Sequence, residues 1–250
     1  MNKDLKILIK YLDWDSKQLG IHCGLINATH VYDYNEIERT FNLIKTLINQ
    51  NKRIKFLTIK LSQNYIAKIS AFVNIGASLI DSELTFLFPK GKRKKDDIIS
   101  GNYSLDFCDK VELECEDLSI LAEEMQLSRF FLDSNISKDK AINLWKTSIK
   151  NHCEGFADQL VVAKDNNQLC GIITIKFIDL ENINLHIVGV VKEHQGRGLG
   201  SLMLNKIINQ YAENYDIYVE TQSVNIPAQT LYQKVGFKFH KLKYVLHHWN

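Results

Sequence analysis

The chain has 250 residues, a formal net charge of +2, 45% hydrophobic and 24% charged residues, which suits one large domain or two modest ones. A charge so close to neutral argues against bulk binding of nucleic acid, which needs a concentrated basic field. Five scattered cysteines (Cys23, Cys108, Cys115, Cys153, Cys170) are odd in number and lack a C-x-x-C pair. They read as buried thiols in a reducing cytosol, with no metal site. The first residues carry too short and interrupted an apolar run for a signal peptide, and no stretch approaches a membrane span. The expectation is a cytoplasmic protein with no membrane partner.

In chain order, Leu5 to Leu12 and Gly24 to Val31 read as strands. Asn35 to Asn49 reads as a helix, with Ile37, Phe41, Ile44 and Ile48 on one face and Asp33 or Asn35 able to cap it. Arg53 to Leu61 is a strand. Tyr65 to Ile75 is a helix with Ile66, Ile69, Phe72 and Val73 inward and Gly76 at its stop, and Leu79 to Phe88 is a further strand. Pro89 opens a boundary. The run from Lys90 to Lys95 invites a nucleic-acid reading, but Asp96 and Asp97 follow at once and no aromatic platform accompanies it, so a solvated linker is the better reading. The organisation expected is therefore an N-terminal α/β domain over 1–105 and a second domain over 106–250.

In the second part, Lys110 to Cys115 reads as a strand, Asp117 to Glu124 as a helix capped by its own aspartate, and Ser128 to Asp133 as a loop. Lys138 to Asn151 is a helix with Ala141, Leu144, Trp145 and Ile149 inward. Gln159 to Ala163 and Leu169 to Phe177 are strands joined by a turn at Asp165, Asn166 and Asn167. The stretch Asn182 to Gln210 reads as strand, glycine-rich turn, helix. Tyr215 to Gln222, Pro227 to Val235 and Phe237 to His248 complete the chain as strand, helix, strand. Pro227 suits a first helical turn.

The chemistry concentrates on that glycine-rich turn. Gln195, Gly196, Arg197, Gly198, Leu199 and Gly200 open a helix whose N-terminal N–H groups and dipole favour an anion. A bare strand-to-helix turn is the alternative. The dinucleotide pattern G-x-G-x-x-G fails because Ser201 occupies its third glycine, and the Gly-Lys-Ser/Thr of a P-loop is absent.

Gln195, Gly198 and Gly200, six residues beyond Gly189 and Val190, resemble the acyl-CoA pyrophosphate loop of the GNAT superfamily of N-acetyltransferases. Asn225, Ala228, Tyr232, Gly236 and Phe237 match that superfamily's closing pattern, N-x-x-A-x-x-x-Y-x-x-x-G-F, in full. More narrowly, Leu12, Trp14, Asp15 and Ser16, then Ser128, Arg129 and Phe130, then Thr221 and Gln222, and a last strand bearing Tyr and Trp, resemble bacterial TDP-fucosamine acetyltransferases. Lys192 departs from the superfamily, which often has proline there. The resemblance covers roughly the last 140 residues and is thin before them.

The resemblance implies an α/β (α+β) chain with the GNAT fold: a mixed, mostly antiparallel sheet with a splayed central strand, preceded by a smaller domain like a truncated copy of it. It implies acetyl-CoA as cosubstrate and a nucleotide-linked amino sugar as acceptor; a homodimer is compatible with this reading. It places the main chain of Val188, Gly189 and Val190 along pantetheine, Gly196 to Ser201 around the pyrophosphate, and Asn225 against the pantetheine arm. Tyr232 falls at the general acid, where a phenol near pKa 10 serves a thiolate near 8.5. Each has a plainer reading: Gly189 as a packing glycine, Asn225 as a helix cap, Tyr232 as core. Glu220 and His186 are candidate bases unless strand alternation points them away. Arg129 and Asp133 fall where the family forms its acceptor site, Arg129 with the geometry to pair with a diphosphate or to be a surface arginine. The same chemistry on a protein or polyamine amine, and a silent CoA-binding module, stay open as alternatives.

Overall fold

The computed structural model describes residues 8–92 and 103–250. Residues 93–95 of the basic run, and the start of the first expected strand, lie outside the described residues. Among those described, the chain forms ten strands and eight α-helices and divides into two compact units, Met1–Glu83 with Leu132–Ile136 and Lys241–Asn250, and Leu84–Phe131 with Ser137–His240.

In the first unit β1 (Lys10–Tyr11) pairs antiparallel with β2 (Cys23–Ala28), which runs parallel to β3 (Phe56–Ser62). Between β1 and β2 lies α1 (Asp13–Leu19), a helix that hydropathy alone does not announce. Gly20 ends it at φ 70, and Ser16 Oγ accepts the Cys23 N–H at 2.8 Å, so the Trp14, Asp15, Ser16 segment pins the start of β2. The expected second helix is α2 (Tyr34–Gln50). The Asp33 carboxylate caps the N–H groups of Asn35 and Glu36, and Ile37, Ile44 and Ile48 pack with Ile26, Ile59 and Leu246. The helix expected from Tyr65 begins instead as a 3₁₀ segment, Gln63–Lys68, before α3 (Ile69–Asn74). Three residues per turn shifts the buried stripe. Tyr65 and Phe72 are therefore buried, whereas Ile66 and Val73, expected inside, are exposed. Strand β4 (Ala77–Phe88) contributes to both units, as does β10 (Lys238–Trp249), whose C-terminal residues lie antiparallel to β3 with Trp249 opposite Phe56.

In the second unit β5 (Ser104–Cys108) pairs with β6 (Gln159–Asp165), and β6 with β7 (Gln168–Phe177), through Asn166 and Asn167, both at positive φ as a tight hairpin turn requires. The strand expected at Lys110–Cys115 is not there. Its alternation is no better than that of Leu105 and Phe107, and pairing with β6 decides between them. Helix α4 (Cys115–Glu123) begins where that strand was expected to end, and its N-cap is Glu114 rather than Asp117. The segment read as a loop contains α5 (Arg129–Leu132). Helix α6 (Lys138–Asn151), capped by Ser137, widens into the turn His152–Phe156, with Gly155 at φ 122. Strand β8 (Asn182–Val190) is antiparallel to β7 and parallel to β9 (Asp216–Gln222), the mixed pattern expected. Two apolar layers cover this sheet. One gathers Met203, Leu204 and Ile207 of α7 (Leu199–Tyr211) and Tyr232 and Val235 of α8 (Ile226–Val235); the other gathers Leu118 and Leu121 of α4 and Ile149 of α6.

Candidate functional site

Strand β8 changes faces midway. Ile183 and Leu185 belong to the α7–α8 layer, yet Ile187, two residues on, belongs to the α4–α6 layer. Strict alternation would keep all three on one side. A bulge breaks it: Leu185 pairs with Ile175 and Ile187 with Thr174, leaving His186 as the extra residue. Thr174 Oγ1 accepts the Ile187 N–H at 3.1 Å, so the interruption leaves that donor satisfied. Val188 and Val190 then pack toward the α7–α8 layer. The bulge sits at His186, three residues before Gly189. Gly189 stays in register opposite Ile172, and a Cβ there would lie 3.3 Å from both Leu121 Cδ2 and Met125 Cε, so its bareness also admits α4.

Pairing of β8 with β9 runs only from Asn182 and Asp216 to Leu185 and Val219. Beyond it a cleft of about 560 Å³ opens. Its walls are residues 186–190 of β8, the ends of β9 and α4, the turn before α7, and Asn225, Leu231 and Tyr232. Among the expected residues, Val188, Gly189, Val190, Gln195, Gly196, Gly198, Leu199, Gly200, Ser201, Asn225, Tyr232, Glu220 and His186 all line it.

At the mouth, Gly196 and Gly198 adopt φ 72 and 84, and no side chain caps α7. The first intrahelical bond is Leu202 N–H to Gly198 O, so the N–H groups of the preceding turn keep capacity for an anion. No atom lies within 4 Å of a Cβ built on either glycine, which leaves room above them. Gly200 differs: a Cβ there would meet Leu231 Cδ2 at 2.9 Å, so it sets the close approach of α7 to α8. Gln195 is exposed, yet its amide donates to Val190 O at 2.9 Å and to Glu124 Oε2 at 2.5 Å and thus braces the turn. Arg197 is exposed and is not among the cleft-lining residues. The uncapped helix start, the open space and the parted strands fit an elongated ligand with an anionic group, as acyl-CoA is.

Tyr232 is 3% exposed, with its ring 5.8 Å from Phe86 and 5.9 Å from Phe237. Its hydroxyl makes no hydrogen bond among the described residues, and burial pushes its pKa well above that of an ordinary phenol. It therefore holds its proton at every physiological pH. Asn225 is the N-cap of α8, its Oδ1 accepting the Ala228 N–H at 3.2 Å, so the capping role is real whatever else it does. Glu220 lies at the point where the strands part and accepts from Thr85 Oγ1 at 3.1 Å. His186 is exposed on one side; on the other His152 and Phe156 crowd it, at ring distances of 5.6 and 6.3 Å. That desolvation, then Lys176, holds its pKa below the usual imidazole range against the opposing pull of Asp158.

Two expected acceptor residues are placed otherwise. Asp133 is 1% exposed, and its carboxylate accepts from His247 Nδ1 at 2.6 Å, Trp249 Nε1 at 3.0 Å and the Asn135 N–H at 2.9 Å. It is a structural pin of the first unit, not a ligand group. Burial alone would raise its pKa; the His247, Asn135 and Trp249 donors outweigh that and hold it at about 2. Arg129 stacks its guanidinium 4.2 Å from the Phe130 ring and is not among the cleft-lining residues. Sequence reading missed Trp145, His152 and His194. Trp145 lines the cleft and donates to Ser128 Oγ at 2.7 Å, which gives the Ser128 position its use. His194 also lines it, 3.1 Å from Tyr103 Oη and 3.4 Å from Cys170 Sγ. Neither histidine sits in a spacing that marks it. Among the described residues, no His/Cys/Asp/Glu group is placed to hold a metal, and no helix is long and apolar enough to cross a membrane.

This parted sheet with a helix start at its mouth is the GNAT fold. Residues 124–237 match the model of the Acetyltransferase (GNAT) family. The chain is 28% identical over 124 residues to the spore coat polysaccharide biosynthesis protein SpsD of Bacillus subtilis, covering 49% of this chain and 43% of that one. It is 36% identical over 88 residues to an L-2,4-diaminobutyric acid acetyltransferase of Shouchella clausii, covering 34% of this chain and 49% of that one. The chain thus spans about half the length of the curated relatives it matches. Among solved structures, a functionally unknown conserved protein of Staphylococcus epidermidis aligns with TM-score 0.61 and 16% identity over 99% of this chain and 97% of that one. A tandem GNAT protein from the clavulanic acid biosynthesis pathway aligns with TM-score 0.56 and 12% identity over 92% of this chain and 76% of that one. At those identities the likeness is one of fold.

Proposed function

We propose that the chain is an acetyl-CoA-dependent N-acetyltransferase whose acceptor is the amino group of a nucleotide-linked sugar, a dTDP-4-amino-4,6-dideoxyhexose, used in surface polysaccharide synthesis. The observation that carries the catalytic part is the cleft between β8 and β9, with an uncapped helix start at its mouth and the Tyr232 phenol in its wall. Acetyl-CoA supplies an acyl group activated as a thioester. The main chain of residues 188–190 offers peptide N–H and C=O groups to an extended arm, and one N–H can polarise a carbonyl there. The turn over residues 196–201 receives the pyrophosphate. Tyr232 holds a proton at Oη, in a desolvated wall where a thiolate is also a stronger base than in water, and gives it to the leaving sulfur. Glu220 and His186 stand on the two strands that flank the opening, where an acceptor ammonium must lose its proton.

The sugar acceptor draws on the polysaccharide role printed for the Bacillus subtilis relative and on the Trp14 and Ser128 segments. Asp133 and Arg129 are not carried into it. A second reading, a small amino-acid amine, is supported by the diaminobutyrate relatives, which are 34% to 36% identical over their shorter matches. The division at residue 105, with the first part a truncated GNAT-like unit, remains part of this proposal, supported by the fold-level likeness to a tandem GNAT protein. The test is release of free thiol from acetyl-CoA with three amines in parallel: dTDP-4-amino-4,6-dideoxygalactose, 2,4-diaminobutyrate and spermidine. Turnover with the nucleotide sugar at a kcat/KM at least a hundredfold above the others supports the first reading. Preference for diaminobutyrate replaces it with the second, and CoA binding without turnover on any of them leaves a silent module.

A further inference from the structure

The extra residue of the β8 bulge does not stand alone. Its imidazole Nδ1 lies 3.4 Å from Nε2 of His152, and His152 Nδ1 lies 2.8 Å from the Ser148 carbonyl oxygen in the last turn of α6. A carbonyl only accepts, so His152 must carry its proton on Nδ1. His152 is 9% exposed, and burial, with His186 and Lys176 nearby, favours its neutral form. A neutral imidazole protonated at Nδ1 has its lone pair on Nε2. The proton between the two rings must then come from His186 Nδ1, which leaves the His186 lone pair on Nε2. The contact is long for a hydrogen bond, as catalytic contacts commonly are before a substrate closes them.

We propose that His186 and His152 form the proton-accepting pair of the cleft: His186 Nε2 takes the proton from the acceptor ammonium, and His152 is a positioning residue that fixes the tautomer which makes this possible. The inference rests on the acetyl-transfer reading and names its base. The step balances simply. The ammonium N–H bond breaks, its electron pair stays on nitrogen as the nucleophile, and the proton passes to His186, then to solvent from its exposed side. Three features of the fold serve the pair. The bulge aims His186 out of the strand's alternation, on the side of the α4–α6 layer. The turn His152–Phe156, with Gly155 at φ 122, lays the Phe156 ring 4.8 Å from His152 and packs the dyad against an aromatic wall. The charged groups nearest the pair are Lys176 on β7 and Asp158 before β6, the lysine ammonium 2.8 Å from the aspartate; Glu220 lines the same cleft from β9. Burial, and after it the lysine, keeps the imidazoles neutral, while the lysine's own charge is balanced by the aspartate.

Two measurements test this. Long-range ¹H–¹⁵N NMR on the labelled chain reads the tautomer without any turnover. The expected result is a protonated Nδ1 and a bare Nε2 on His186, with the commoner Nε2–H form regained in His152→Phe, which keeps a buried ring. An Nε2–H tautomer in the wild-type chain overturns the proposal. The second is kcat/KM against pH for acetyl-CoA with the dTDP-amino sugar and with diaminobutyrate. His186→Asn, at an exposed position that leaves the fold alone, should lose about a hundredfold at pH 7 and recover toward wild type at pH 9 as the amine deprotonates itself. His152→Phe should lose about tenfold, with the acid limb displaced and KM for acetyl-CoA unchanged. A pH profile identical to wild type in His186→Asn overturns the base role, whereas a locked tautomer in a chain that turns over neither amine counts against the acetyl-transfer reading instead.

Discussion

Tyr232→Phe separates the proposed general-acid role from packing. The change removes one hydroxyl and keeps the ring that packs against Phe86 and Phe237 at 5.8 and 5.9 Å. That hydroxyl has no hydrogen-bond partner among the described residues, so its loss breaks none. Stability should change by no more than about 1 kcal/mol in either direction, a shift of about 2–4 °C in a chain of this size. As a general acid the phenol acts only while the carbon–sulfur bond breaks. Losing it should lower kcat by about 10² to 10⁴, equivalent to roughly 3–5 kcal/mol of barrier, with acetyl-CoA affinity nearly unchanged. Free-thiol release gives kcat, calorimetry gives the affinity, and a thermal melt reports the fold. Near-wild-type kcat with chemistry shown to be rate-limiting would refute the acid. So would a fall in kcat that comes only with a melting loss beyond 10 °C, since the ring's surroundings give no reason for one.

Gly198→Val puts a β-branched residue at φ 84 with open space around it, so the cost is about 1–2 kcal/mol of backbone strain rather than a clash. Calorimetry should show CoA affinity down at least tenfold, against a modest loss in Arg197→Ala, and equal affinity in Gly198→Val and wild type would end the assignment of this turn. Asn225→Ala should lose about 1 kcal/mol by uncapping α8, and Asn225→Ser should restore the cap. If CoA binding stays weak in the serine variant while the melt recovers, Asn225 also touches the cosubstrate; joint recovery makes it a cap alone. Asp133 titrates near 2 in the folded chain against 3.8 ordinarily. Its depressed pKa contributes stability above about pH 4 that is lost as pH falls through 2, about 2 kcal/mol in all. Urea denaturation at pH 6 and pH 2.5 should show this loss in wild type and a flatter, lower profile in Asp133→Asn.

The strand, turn and helix around the cleft were legible because glycine spacing and the Asn225 to Phe237 pattern report local geometry. Asn166 and Asn167 likewise announced their turn, since both must adopt positive φ. What failed to show was set by partners distant in sequence. The choice of Ser104–Cys108 over Lys110–Cys115 as a strand belongs to β6, and two stretches of equal alternation cannot be ranked without it. Ile66 and Val73 were misassigned because a 3₁₀ start shifts the phase of a stripe that α-helical spacing would place elsewhere. Asp133 shares its neighbourhood with Arg129 in sequence but answers to His247 and Trp249, more than a hundred residues away. His152 and His186 were separate residues until the bulge brought one ring to the other.

The short ladder between β8 and β9 also bears on how this site tolerates mutation over time. Four residue pairs hold the strands before they part, and beyond His186 the parted edge of β8 offers its peptide groups to whatever enters. Recognition by main chain does not depend on the identity of the side chain it carries. On the proposed acetyl-CoA reading, Val188 and Val190 can drift among β-branched residues at little cost to the cosubstrate, provided the α7–α8 layer still accepts them. Proline is the exception at either position, because it deletes an N–H outright. On the proposed acetyl-transfer reading, a lineage with this site can therefore change its acceptor by altering loops and wall residues while the acyl-donor half stays fixed in backbone and free to vary in sequence.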